Sequence, residues 1–343
     1  MHTMSHRGRL LRDGITDAHH HFAVEEALVR LVDEGLSPPT LRLRQVSRAV
    51  FVGVFQDTWS EVDVDFCREQ GIKIVRRASA GGAVYHDVGS FCYSAFFPRK
   101  LFAQSEEELY RLFAEPIVLT CADYGLGAHF KGRNDVLIGR RKIYGSAQIT
   151  WYDTFVQSGT FLVNMDFDVM DRALTPPPLK FADKSAKSVK DRVTSLGREL
   201  GREISVDEVM SRFTQHFCQV LDLQLVPGDL SREEHELALE LLRVKYGTDE
   251  WNMGSPQSYE VTVAARAKEG VVLLSANMSG SAIREARIRG DFLGTDQETV
   301  EGLQRTLIGC RLDEAQTKVQ ASDLPPDVKV TVIQLLGELG QEA

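Results

Sequence analysis

The chain has 343 residues, 43% hydrophobic and 26% charged, which is the balance of an ordinary globular protein with length for about two domains. Collagen-like, mucin-like and mostly disordered chains are excluded. Acidic residues outnumber basic ones, 49 to 40, and the formal net charge of −9 argues against a bulk electrostatic grip on nucleic acid.

The first thirteen residues are polar and basic and lack the apolar stretch of a secretory signal. No run approaches the ~18 apolar residues needed to cross a bilayer, so no membrane partner is expected. The five cysteines (Cys67, Cys92, Cys121, Cys218, Cys310) are odd in number, widely spaced and form no CxxC pair. Neither a disulfide framework nor a cysteine zinc site is indicated, and a reduced, cytoplasmic protein is expected.

Residues 21–35 read as an amphipathic helix with Val24, Leu28, Leu31 and Val32 on one face, closed by Ser37-Pro38-Pro39. Residues 41–46 alternate like a half-buried strand, and 49–55 form a denser apolar strand. A short helix at 62–70 and a strand at 72–75 follow. Residues 106–113 look helical. Strands at 135–138 and 142–149 flank Gly139-Arg140-Arg141, a hairpin-length loop. Residues 174–187, with three consecutive prolines and several lysines, read as a long and therefore functional loop. Ser205…Glu208 and Ser231…Glu234 both fit the capping box, and the second opens a helix to about Tyr246, ended by Gly247. Strands at 259–266, 271–276 and 283–288 and helices at 298–307 and 329–339 complete the chain. A boundary near 250–258 divides it into residues 1–250, a large mixed domain, and 258–343, a small β-plus-helix domain.

Two segments carry chemistry. Arg76-Arg77-Ala78-Ser79-Ala80-Gly81-Gly82-Ala83-Val84-Tyr85-His86-Asp87 follows a strand. Its small residues let backbone N–H groups approach phosphate oxygens, and an adjacent arginine can pair with them. It is neither a Walker A loop nor a GxGxxG fingerprint. A glycine-rich turn between strands, with Arg77 as a surface charge, is the competing reading. In the second segment, Gly132-Arg133-Asn134-Asp135 precedes a strand carrying Lys142, Gly145, Ser146 and Ala147. Alternation places Lys142, Tyr144 and Ser146 on one face. The small residues leave space beside that strand. Asn134 and Asp135 offer oxygens to Mg²⁺. A solvated strand-end lysine is the plainer reading of Lys142.

RRASAGGAVYHD resembles the RRxSGGGAVYHD motif of the lipoate–protein ligase A family, and GRNDVLIGRRKIYGSAQ resembles its RND strand followed by its GKKxSGSA strand. In order along the chain, AVEEAL (23–28), KSVKDRV (187–193), WNMGSP (251–256) and Gly290-Asp291-Phe292 are similar to further family segments, so the resemblance spans nearly the whole chain. It implies a mixed-sheet α/β (α+β) catalytic domain of the biotin/lipoate ligase kind plus a small C-terminal α/β accessory domain. The implied activity is that of an ATP-dependent ligase, which activates free lipoate (or octanoate) as the acyl-AMP and passes the acyl group to an acceptor lysine. By motif position, Arg77, Ser79, Gly81, Gly82, Ala83, Val84, Tyr85, His86, Asn134, Gly145, Ser146 and Ala147 would hold ATP and the adenylate. Lys142 would clamp acyl carbonyl and phosphate, with Mg²⁺ near Asn134 and Asp135. The implied acceptors are lipoyl domains of 2-oxoacid dehydrogenase E2 subunits, the glycine-cleavage H protein or a related lipoate-binding protein.

Ala80 stands where the family has the first of three glycines, and a positive φ there would strain it. Ser90 and His21 replace asparagines, and Tyr144 replaces a small residue; these departures bear on acyl preference. His19-His20-His21 invites a metal reading, but consecutive histidines share no face. His86 reads as packing as readily as acid–base chemistry, and Cys121 as a core thiol. The rivals are an octanoyltransferase working without ATP through an acyl-cysteine, for which Cys121 lies too early, and a catalytically silent homologue that binds adenylate or acceptor.

Overall fold

A computed structural model describes residues 6–176, 188–254, 258–268 and 270–342. Among the described residues, eleven strands precede residue 258: β1 (His6–Thr16), β2 (Thr40–Val46), β3 (Ala49–Val52), β4 (Lys73–Arg76), β5 (Val84–His86), β6 (Ser90–Pro98), β7 (Ala128–Lys131), β8 (Asp135–Ile138), β9 (Arg141–Trp151), β10 (Thr154–Leu162) and β11 (Leu223–Pro227). Eight of them form one sheet in the order β11-β1-β2-β6-β10-β9-β8-β7. The β11-β1-β2 pairings are parallel and the others antiparallel, so the sheet is mixed, as expected. A small sheet, β4-β3-β5, stands beside it.

Two layers of helix cover the large sheet. On one face the helices Glu106–Asp123 and Val206–Val220 pack over Phe91, Tyr93, Phe155 and Phe161 in the largest core. On the other lies the helix Ala18–Asp33, whose Ala23, Val24, Ala27 and Leu28 are fully buried. This helix starts three residues before the expected point because Asp17 caps it, accepting from the N–H groups of His19 and His20. Consequently His19 and His20 lie near the surface while His21 points inward.

The third unit is the sheet of β12 (Val261–Ala267), β13 (Gly270–Ser279) and β14 (Ala282–Gly290), backed by helices Gln297–Leu307, Leu312–Ala321 and Pro326–Glu342 around a separate apolar core. Phe55, three residues after β3, is part of that core: its ring stacks on Phe292 at 4.9 Å and its carbonyl accepts from Gly290 N–H. An Asp57–Arg289 ion pair at 3.2 Å lies alongside. Residues 53–55 are thus not strand, and the strand expected over 49–55 stops at Val52.

Other expectations need correcting. Strand β2 is not half-buried: Arg42 and Arg44 are as enclosed as Leu41 and Leu43. At Ser205 only half of the capping box forms. The hydroxyl accepts from Glu208 N–H, but the Glu208 carboxylate is taken by Arg212 and the Tyr124 hydroxyl. At Ser231 both halves form. The helix from Arg232 passes into a π-turn at Leu242–Tyr246 before Gly247 ends it. Most of the proline-rich loop expected over 174–187 lies outside the described residues.

Candidate active site

One cavity of about 700 Å³ collects every residue that the family resemblance assigns to nucleotide, adenylate or metal. The β4–β5 loop and β5 line it with Arg77, Ser79, Gly81, Gly82, Ala83, Val84, Tyr85 and His86; Asn134, Asp135 of β8, and Lys142, Gly145, Ser146 and Ala147 of β9 line it as well.

The glycine loop is shaped from within. Gly81 takes the left-handed conformation, φ +98°, and no other residue of the loop does. Ala80 is therefore unstrained, and its departure from the family pattern has no backbone cost. The loop folds back so closely that a Cβ on Gly53 would collide with the Gly81 carbonyl oxygen. Arg77 is turned back on its own loop and on β3. Its guanidinium donates to the carbonyls of Phe51 (3.1 Å), Ala80 (2.9 Å) and Gly82 (2.9 Å), holding the loop's carbonyls inward. Burial lowers its pKa to about 10, so it stays charged at neutral pH. Arg76 does similar work one residue earlier, donating to the carbonyls of Gly53, Gln56 and Trp251 and to the Thr58 hydroxyl. Trp251 and Asn252 return bonds to the Arg76 backbone, which explains why a W-N pair sits so far along the chain.

Strand β9 departs from simple alternation. Val136 pairs with Tyr144 but Leu137 with Lys142, a bulge that puts Lys142 and Tyr144 on opposite faces. Lys142 shares the cavity face with Asp135 and Gly145, and its ammonium meets Asp135 at 2.6 Å. The lysine side chain lies across Gly145, where a Cβ would overlap its Cε and Nζ. The space left by the small residue is thus taken by the lysine itself. Tyr144 points into the main core instead: its hydroxyl lies 2.7 Å from that of Tyr93, and its ring covers Gly159. The segment after the proline-rich loop pins the lysine's backbone, with Lys142 N–H donating to Arg192 O and Thr194 N–H to Lys142 O, both at 2.8 Å.

Sequence reasoning missed the ends of the cavity. The mouth carries Lys131, Arg140 and Arg192, and from the accessory region Arg266 and Leu293, with Asp191 and Asp291 among them. Such a cluster suits a polyphosphate. Its only sequence signal was the basic run around residues 131–142. The deep end runs under the helix Ala18–Asp33 to His21, Glu25, Arg44 and Cys92. Its signal was a pair of arginines at alternate positions in an otherwise apolar strand. Burial and the neighbouring Arg77 and Arg44 hold His86 down to about 3, so it is neutral; it packs on Phe51 and lies 3.4 Å from the Cys92 sulfur. Cys121 is elsewhere, buried in the main core, where burial pushes its thiol up to about 12.

Asn134 is tied down through its amide, which donates to Ser146 O at 2.6 Å, while its backbone carbonyl accepts from Ser146 N–H. Its amide oxygen and the Asp135 carboxylate are adjacent hard donors at the cavity wall, a set that fits Mg²⁺, which takes one or two carboxylates and completes its shell with water and phosphate. Among the described residues no group of three or more His, Cys, Asp and Glu side chains is arranged to hold a metal alone.

Residues 17–218 match the family described as the lipoyl protein ligase A/B catalytic domain, and residues 256–325 match the bacterial lipoate protein ligase C-terminus. The chain belongs to the lipoyl protein ligase A/B family and carries both parts. It is an enzyme of that family. It is 30% identical to lipoate–protein ligase 1 of Staphylococcus aureus over 88% of this chain and 89% of the relative. It is 29% identical to octanoyltransferase LipM of Symbiobacterium thermophilum over 71% of this chain and 97% of the relative. Among solved structures, a lipoate–protein ligase A bound with ATP superposes with a TM-score of 0.63 at 28% identity, covering 72% of this chain and 99% of that one. A bi-partite lipoate protein ligase of Thermoplasma acidophilum, studied with its E2 lipoyl domain, gives 0.62 at 30% over 75% of this chain and 100% of that one. Plasmodium falciparum LipL1 shares the fold across 95% of this chain and 99% of its own, with a TM-score of 0.77 at 20% identity.

Proposed function

We propose that this enzyme joins free lipoate to ATP, releasing pyrophosphate, and then passes the lipoyl group from lipoyl-AMP to a lysine amine of an acceptor protein. The observation that carries this reading is that Lys142 and the Gly81–Val84 segment line one and the same cavity. A carboxylate attacking the α-phosphate brings two anions together. A fixed ammonium and preorganised N–H groups offset that repulsion and the charge that grows in the transition state, an effect of ~10²–10³ in rate per donor. Lys142 acts as an electrostatic clamp, held ready by Asp135, and forms no covalent bond. Arg77 shapes the loop from behind. Mg²⁺, when bound with ATP, would be held by Asn134 and Asp135 and would neutralise phosphate charge.

The name of the ATP-bound relative supports the nucleotide, and that of the Thermoplasma protein supports an E2 lipoyl domain as acceptor. The H protein or a related lipoate-binding protein offers the same exposed lysine chemistry. The likeness to LipM keeps an ATP-free octanoyl transfer as the rival. That route needs an accessible thiolate. Among the described residues the cysteine lining the cavity is Cys92, whose thiol burial pushes up and whose neighbour His86 is held too low to serve as a base near neutrality.

Intact-mass analysis of candidate acceptors tests the proposal. One lipoyl mass is expected with ATP and lipoate together, and none without nucleotide. Labelling from an acyl-carrier thioester in the absence of ATP would assign the chain to the transferases instead.

A further inference from the structure

The turn that follows β14 meets both of the motifs that line the cavity, and its Asp291 and Leu293 border the cavity themselves. Phe292 is seated on Phe55, and Leu293 Cδ2 stands 3.5 Å from the place that a Cβ on Gly81 would take. The neighbouring Ala80 packs on the C-terminal core, so the alanine that departs from the family's glycine gives the loop a methyl contact with the C-terminal unit. One residue further along the turn, Arg133 Nη2 is 3.7 Å from the place of a Cβ on Gly294. Arg133 directly precedes Asn134 and Asp135.

The same turn fixes the strand end that carries Arg266. Arg266 pairs with Val271 across β12 and β13. Val271 is held twice by Asp291: its N–H donates to Asp291 Oδ1 at 2.6 Å, and its carbonyl accepts from the Asp291 N–H at 3.2 Å. Arg266 is exposed and borders the cavity, and among the described residues its guanidinium has no hydrogen-bond or ion-pair partner. Arg76 and Arg77 differ, because their donors are engaged by protein carbonyls. A guanidinium fork with its donors open is suited to bidentate recognition of phosphate oxygens.

Resting on the ligase reading above, we propose that Arg266 is a catalytic residue of adenylation, contributed by the C-terminal unit to the pyrophosphate leaving group. In that step a carboxylate oxygen of lipoate bonds to the α-phosphorus. The bond from phosphorus to the α–β bridging oxygen breaks, and its electron pair leaves with pyrophosphate. In-line displacement puts the leaving group opposite the attacking oxygen. With the acyl chain in the deep arm of the cavity, pyrophosphate departs toward the mouth, where Arg266 stands. Negative charge grows there in the transition state, and a guanidinium already in place lowers the barrier. In the second step the acceptor amine attacks the acyl carbonyl and AMP leaves. No pyrophosphate is present then, so Arg266 has nothing to act on.

Measuring the two half-reactions separately with the full chain tests this. One is pyrophosphate release from ATP and lipoate; the other is acyl transfer from synthetic lipoyl-AMP to a lipoyl-domain acceptor. Arg266→Ala is expected to slow the first by about 10²-fold and to spare the second. Arg266→Lys, which keeps the charge without the fork, should recover part of the loss. Arg287→Ala is the control, exposed on β14 of the same sheet and not bordering the cavity, and should match the wild type in both. Wild-type pyrophosphate release by Arg266→Ala overturns the proposal. An equal loss in both half-reactions also overturns it, since that would mark general damage to the C-terminal unit. If the wild type releases no pyrophosphate, the ligase reading is what fails. Calorimetric binding of inorganic pyrophosphate then decides Arg266 by itself: weaker binding in Arg266→Ala supports the assignment, and equal binding overturns it.

Discussion

Gly145→Ala separates the placement of the lysine from the stability of the fold. A Cβ at 145 would sit closer than 3 Å to Lys142 Cε and Nζ, with Asp135 Oδ1 3.5 Å away and no backbone atom among the near contacts. The colliding atoms are the free end of a flexible side chain, so the strand need not move. Alanine in place of a strand glycine favours the fold by roughly 0.5–1 kcal/mol through lower unfolded-chain entropy. The ammonium, however, must shift by about an ångström or more to restore ordinary contact. A misplacement of that size costs on the order of 10²-fold in a step that depends on positioning. We expect pyrophosphate release to fall about 100-fold while the melting temperature holds or rises slightly. Combined with Lys142→Ala, the glycine change should cost nothing more, since the group it displaces is gone. Wild-type rates in a well-folded Gly145→Ala protein would refute the reasoning, and so would a large fall in melting temperature, which would mean that the backbone and not the lysine needs the space.

Lys142→Ala itself should lose ~10²–10³ of the adenylation rate while the fold survives, checked by pyrophosphate release and circular dichroism. Arg77→Met should raise the KM for ATP and make the 78–83 backbone more susceptible to proteolysis, because two loop carbonyls, Ala80 and Gly82, and that of Phe51 in β3 lose their donor. Cys121→Ser should keep its activity per folded molecule while losing roughly 1–3 kcal/mol of stability to a buried hydroxyl, read by urea titration. For pH, His86 falls from the ordinary 6.5 to about 3 in the fold, so the unfolded chain binds the extra proton between those values. Stability contributed by this group is full above about 6.5 and is lost as pH falls toward 3, with a slope of up to about 1.4 kcal/mol per pH unit. His86→Asn should flatten the acid limb of the denaturation curve in that window.

The elements that sequence pattern revealed are those with one wet face or a local signal. The helix at Ala18, the β8–β9 hairpin and the Ser231 capping box all announce themselves through periodicity or turn chemistry. The long central strands were silent. Strand β6 is buried at eight of nine positions, serines 90 and 94 included, so its sequence shows no polar–apolar alternation. Strand β10 has glycine and polar residues where it meets the Tyr144 ring and the cavity. The edge-side β1 carries charges whose partners, Glu234 for Arg9 and Asp207 for Arg12, come from about 200 residues later. At the site, both cavity walls were legible because each is a contiguous motif. The bulge at Lys142 was not, because a register shift depends on the neighbouring strand. The deep end of the cavity, at His21, Glu25, Arg44 and Cys92, was harder to read because it is assembled from the helix Ala18–Asp33, β2 and β6, three elements far apart in sequence from both motifs' contact residues on β9.

The central claim is that Lys142 and the Gly81–Val84 backbone hold one mixed anhydride between them. A crystal structure with a non-hydrolysable lipoyl-adenylate analogue tests it directly. We predict the Lys142 ammonium within hydrogen-bond distance of the linkage between acyl group and phosphate, and the loop's N–H groups on the phosphate. An analogue bound with its phosphate beyond reach of Lys142, or lodged outside this cavity, would contradict the account.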